Sequence, residues 1–292
     1  MSKRRRNSAS RAERREKVRD VFVARPFEGL ASEAEWVALR ELVPAATAPL
    51  QLSEEYAQKY PDRSVTLATV LPMAWPAMVR QDGGVLVGLQ RQFQSGDVSR
   101  DIAASLLSAL DTEVGQTVGV PALPGPGPRL QDVLADGALD VSIRTGFDFW
   151  LAEGAADDPN VAASLERAND SIYPTERLAA APAAYWCQVP DKAHVRWVLA
   201  EDEDAALAGL ARLSASGALT LGDGTRFAGM FRAHGLLVPV WDVPMDAPAA
   251  DWEQPLAAVR DAYRAEVGSD APLTPEQRRA REGLLGRQLT LR

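Results

Sequence analysis

The chain has 292 residues, 46% apolar and 25% charged, values that belong to a globular protein with length for one large domain or two modest ones. No run approaches the ~18 consecutive apolar residues that a membrane helix requires, and a single cysteine, Cys187, excludes an intramolecular disulfide and any multi-cysteine zinc site. Charge is segregated: residues 1–20 carry +6, residues 21–272 carry −17 and residues 273–292 carry +3, for a total of −8.

Residues 2–16 hold no large apolar side chain, so residues 1–20 read as a basic arm, disordered in the free protein because it has too little apolar surface to offset the entropy of ordering. Its opening, Met1-Ser-Lys-Arg-Arg-Arg-Asn7, has the charge of a secretory leader without the apolar stretch that would follow, which points to the cytoplasm. The fold begins at Phe22 and Phe27. Ser32 precedes Glu35 by three positions, the spacing of a capping box, and opens a helix through Trp36, Leu39 and Leu42 that Pro44 closes.

Strands are predicted near 65–71 and, after the turn Gln81–Gly84, at 85–93. An acid-capped helix then follows over 97–110 behind Asp97, its apolar face traced by Ile102, Leu106 and Leu110. The proline-rich run from Pro121 to Pro128 is a stiff loop. Residues 139–149 alternate almost strictly, with Leu139, Val141, Ile143, Phe147 and Phe149 on one side, and predict an eleven-residue strand buried on one face. Residues 153–160 are polar and acidic, a natural boundary between lobes.

The second half repeats the order. Strands are predicted near 184–189 and 194–200, then a helix over 202–213 behind the carboxylates of Glu201–Asp204. Phe227, Gly229 and Phe231 alternate, and Leu236–Trp241 is apolar on both faces, as a central strand would be. Trp252, Leu256, Val259 and Tyr263 mark an amphipathic helix, and Thr274-Pro-Glu-Gln277 starts the last one with a cap and a proline at its first position.

The expected fold is therefore α+β, with mixed, mostly antiparallel sheets and packed helices. The expected division is a basic arm (1–20), a first lobe (21–152), a connecting segment (153–182), a second lobe (183–272) and a basic C-terminal helix (273–292). Two ββα-type lobes arising by duplication would explain the repeated order. So would the frequency of that order among α+β folds.

Chemistry is sparse. His194 lies on the polar side of a strand and His234 in a turn, 40 residues apart, so neither supplies metal-ligand spacing. Cys187 sits in a strand-like run with no His, Lys or Arg within four positions and reads as a small apolar residue. Gly222 and Gly224 belong to a hairpin-like turn, and neither phosphate-loop nor dinucleotide fingerprint occurs. Asp140, Arg144 and Asp148 share one strand face with roughly 13 Å between successive members, too far for a local acid/base pair. No catalytic, cofactor-binding or metal-binding residue is assigned. The arm's Arg4, Arg5, Arg6, Arg11, Arg14, Arg15, Lys17 and Arg19 are candidates for polyanion contact, meeting phosphates without reading bases.

Two blocks carry a resemblance. Arg25-Pro-Phe-Glu-Gly-Leu30, continuing through residues 35–50, resembles the opening of an actinobacterial domain family of unknown function, and residues 231–242 resemble a second block of it. The likeness spans about residues 21–250 and brings no known mechanism. Longer members similar to this chain carry a zinc-binding SEC-C motif before the position of Arg25 and labels tied to the translocase SecA. The arm here has no cysteine, so neither zinc nor that label carries over.

Together these features favour a cytoplasmic interaction or adaptor protein without a cofactor. It would have an unidentified protein partner, no membrane, and an arm in contact with RNA or ribosomes. The alternative is an enzyme whose site is assembled across strands from arginine and carboxylates.

Overall fold

A computed structural model describes residues 18–152 and 154–287. Along the first half run α1 (Glu33–Glu41), β1 (Ala46–Leu50), α2 (Glu54–Lys59), β2 (Val65–Val70), β3 (Ala77–Val79), β4 (Val85–Gln90), α3 (Val98–Leu110), α4 (Leu130–Val133) and β5 (Ser142–Ile143). The second half holds α5 (Pro159–Asn169), β6 (Thr175–Arg177), β7 (Ala184–Val189), β8 (Lys192–Trp197), α6 (Glu203–Ser216), β9 (Arg226–Ala233), β10 (Leu236–Val243), α7 (Glu253–Val267) and α8 (Pro275–Leu285). They form two five-stranded sheets, ordered β3-β4-β2-β1-β5 and β6-β7-β8-β10-β9. Only β2 and β4 pair in parallel, so the architecture is α+β with mostly antiparallel sheets.

The matching halves of the sequence share element order without sharing topology. β2 and β4 are parallel because β3 intervenes and turns back onto β4 at the sheet edge. Their counterparts β7 and β8 form a direct antiparallel hairpin.

Helix α1 is buried from Ala34 through Leu39 on every side, as a helix between two layers must be. It joins one continuous apolar cluster with Leu67, Val87 and Ile102 of the first lobe and with Tyr185, Phe231 and Val238 of the second sheet. The opposite face of that sheet carries Trp186, Val195, Trp197 and Trp241 and packs on α6, α7 and α8. Gly209 permits this close approach, since a Cβ there would stand 2.9 Å from the Tyr263 ring. Buried Arg212 donates to the carbonyls of Glu266 (3.0 Å) and Ala271 (2.6 Å), placing a cation at the C-terminal end of α7.

Two sequence expectations are corrected. Ser32 lies in the left-handed region (φ 58°) and its side chain makes no cap. Glu35, the other half of the expected capping box, instead turns into the core, 4% exposed, where it meets the second lobe. The predicted strand over 139–149 shrinks to Ser142–Ile143. Leu139, Phe147 and Phe149 are buried as expected. Val141 and Ile143, however, are only half-buried, and residues 148–150 turn into a short 3-10 helix. Stacking of Phe147 on Trp150, with ring centroids 4.2 Å apart, holds that turn better than continued pairing at a sheet edge would. The expected acid cap of α3 is present, with Asp97 accepting from the Arg100 amide at 3.3 Å. So is the Thr274 cap of α8, which Gln277 completes as a capping box.

Candidate functional site

Residues opposite one another on paired strands point to the same face. In the second sheet Thr175 pairs with Cys187, Cys187 with His194, His194 with Asp242, and Asp242 with Arg226. A polar row thus crosses all five strands on the face that, beyond Tyr185 and Val240, packs against α1.

His194 Nδ1 lies 3.0 Å from Asp242 Oδ1, in ion-pair range but without a well-directed hydrogen bond. Burial and the nearby Arg196 charge lower the histidine pKa, against the pull of Asp242. Burial opposes ionisation of Asp242, yet the hydrogen bond from Arg226 and the charges of His194, Arg226 and Lys192 hold it below the usual carboxylate range. Burial also raises the Cys187 pKa, with Arg196 opposing. At neutral pH the row therefore holds a protonated thiol beside a neutral imidazole, and among the described residues the thiol has no hydrogen-bond partner.

One end of this row opens into a cleft of about 260 Å³ between the end of α1 and the second sheet. Residues 40–44, at and after the end of α1, form one wall with Gln90; Tyr173, Thr175, Cys187 and Arg196 form the other. Arg40, with only 8% of its side chain exposed, donates to the Leu89 carbonyl and to Gln94. Burial lowers its pKa, against Glu41 and Asp101. Glu41 Oε1 stands 2.8 Å from His234 Nε2 and 3.5 Å from Arg40 Nε, and the histidine contact, opposed by burial and helped by Arg40, holds Glu41 low. Arg196 is paired through its backbone with Tyr185 and Val240, but its side chain has no hydrogen-bond or ion-pair partner among the described residues.

The other sequence candidates fall elsewhere. Arg4, Arg5, Arg6, Arg11, Arg14, Arg15 and Lys17 lie outside the described residues. Arg19 is exposed and lines a groove of about 1080 Å³ beside the Pro121–Pro126 loop. The chain is already anchored at Asp20, which accepts from the Gly96 amide at 2.7 Å, and at Val23, which donates to the Gly96 carbonyl at 2.8 Å. Asp140, Arg144 and Asp148 form no cluster, as Arg144 donates to Thr47 at 3.1 Å. Among the described residues, no group of three or more His, Cys, Asp or Glu side chains is arranged to hold a metal ion. Exposed apolar side chains gather at one end of the first lobe. Phe93 lies in the 91–96 loop, which bonds to Ala74 between Met73 and Trp75 and, on its other side, to the irregular segment carrying Phe22.

Sequence separation hid the row, yet half of it was legible. The two-residue turn Pro190–Asp191 pairs Val189 with Lys192 and so sets Cys187 opposite His194. Asp242 enters only through long-range pairing of β10 with β8. Arg226 enters through a register shift in the β9–β10 hairpin at Val240/Trp241.

Over residues 26–292 the chain matches a family described as a family of unknown function, DUF5926. No curated protein matches the chain, and no solved structure does.

Proposed function

The chain belongs to this family of unknown function, DUF5926, and we propose that it is a non-enzymatic adaptor whose body docks a protein partner while its basic arm contacts RNA or ribosomes. The observation that carries this reading is the strip of exposed apolar side chains at one end of the first lobe: Phe22 at 81%, Met73 and Phe93 at 71% and Trp75 at 42%. They stand on segments bonded to one another, and exposed apolar side chains brought together in this way mark interaction sites. The strip adjoins residues 18–22, the root of the arm, so partner and polyanion would meet at the same end of the molecule. A body of net −17 repels nucleic acid and confines such contact to the arm.

The cytoplasm is the proposed compartment, supported by the single free cysteine. No helix among the described residues is long and apolar enough to cross a membrane.

Deletion of residues 1–17 tests the reading. Ribosome or RNA co-sedimentation at low salt is expected to vanish while the melting temperature stays unchanged. Phe93→Ser is expected to keep co-sedimentation and lose the protein partner. Undiminished co-sedimentation by the truncated chain refutes the tether.

The row Cys187–His194–Asp242 favours a second reading, an enzyme with a thiol nucleophile and histidine base. It predicts alkylation of Cys187 with a rate that follows His194 titration. Alkylation that follows only a raised thiol pKa would reject it.

A further inference from the structure

We infer that the interlobe cleft is a binding site for a small organic carboxylate, held by Arg196. The surrounding body has 35 acidic against 18 basic residues, and its arginines are commonly matched to carboxylates: Arg25 with Glu33, Arg129 with Asp97, Arg177 with Glu35, Arg232 with Glu203. Arg196 is half-buried, lines the cleft and has no such partner among the described residues. A guanidinium lining a cleft with no carboxylate bonded to it leaves its fork free for one that enters.

The groups around it reinforce the vacancy of negative charge. Cys187 is held as a thiol and His194 as a neutral imidazole, and Asp242 lies beyond His194, bonded to Arg226. Across the cleft Glu41 is engaged by His234 and Arg40. The charged side chains lining the cleft are Arg40, Arg196 and Glu41, so the site carries an excess of one positive charge.

Donor supply and shape select among anions. Three of the five Arg40 N–H groups already donate, to His234, Leu89 and Gln94, and the Thr175 hydroxyl donates to the Tyr173 carbonyl at 3.0 Å. Arg196 therefore offers the one guanidinium fork in the cleft lining with no protein acceptor among the described residues. It matches a carboxylate, whose two oxygens accept in parallel, better than a tetrahedral phosphate dianion that needs donors on several sides. Val43, Pro44, Val189 and the Tyr173 ring supply apolar wall for an organic body. At about 260 Å³ the cleft is near the small end of ligand pockets. The bonds from Tyr185 and Arg177 to Glu35 join the lobes beside it, so the site is formed before the ligand arrives.

Calorimetric titration of the full chain with sodium benzoate, sodium phosphate and sodium chloride at equal ionic strength tests this. Benzoate should bind saturably and phosphate more weakly. Arg196→Gln should weaken benzoate at least about tenfold, Arg196→Lys should weaken it less because charge remains without the fork, and Arg264→Gln, on the far side of the sheet, should leave it unchanged. No saturable benzoate binding overturns the inference, as does phosphate binding as tight as benzoate or full affinity in Arg196→Gln. If Arg196→Gln does not fold, Arg196→Lys decides, and wild-type affinity in that variant overturns the inference.

Discussion

The Tyr185 hydroxyl donates to Glu35 Oε2 at 2.6 Å, joining the helix at the start of the first lobe to the second sheet inside the shared core. The other carboxylate oxygen accepts from the Ala183 amide at 3.0 Å and from Arg177. Glu35 is thus a buried charge with every neighbour arranged to meet it.

Removing it leaves those donors unmet. Glu35→Ala should destabilise by about 3–5 kcal/mol, since a buried amide and hydroxyl each lose their acceptor as the ion pair is broken. Tyr185→Phe should cost about 1–3 kcal/mol. Urea denaturation measures both, and losses below 1 kcal/mol for both would mean that the junction is carried by apolar packing alone.

Alkaline pH should unfold the protein through two tyrosines. Burial and Glu35 raise the Tyr185 pKa, and burial and Glu201 raise that of Tyr263. A raised pKa means that the native state keeps protons which the unfolded chain releases, so this stability is present below the ordinary tyrosine pKa of about 10 and lost above it. Each tyrosine should contribute a slope of about 1.4 kcal/mol per pH unit there. Tyr263→Phe should halve the alkaline slope, and denaturant midpoints from pH 9 to pH 11 read it.

Acid acts with the opposite sign at Glu41, whose pKa is lowered by its contact with His234 and by Arg40. A lowered pKa contributes stability above the unfolded value, lost as pH falls through the folded one. Glu41→Gln should therefore lower the melting temperature at neutral pH and flatten its decline as pH falls toward 3. Parallel melting curves for the two proteins would show that the Glu41 contact carries no linkage.

Phe147 is 4% exposed and stacked on Trp150, so Phe147→Ala should cost about 3–5 kcal/mol through the cavity it leaves. Ser142→Ala, on the exposed side of the short β5, should cost little. Equal losses would mean that this edge is packed the other way round.

Local pattern in the sequence was enough for the α+β class, for β4, α3, β7 and α6 to within a few residues, and for the caps of α3 and α8, because periodicity and capping depend on neighbours along the chain. The same local rules failed at Glu35 and at residues 144–149, where contacts made far away in sequence outweighed them: Tyr185 and Ala183 drew the carboxylate inward, while the Asn169 side chain accepting from the Phe147 amide and the Val70 carbonyl accepting from the Trp150 indole drew the end of a promising strand off its line. The cleft belongs wholly to the tertiary structure. Its floor depends on cross-strand register and its opposite wall on where α1 ends, and no spacing along one segment encodes the meeting of Arg196 with residues 40–44. Composition determined that the body would be acidic, but only folding decided that one arginine within it would be left facing an open cleft with no carboxylate bonded to it.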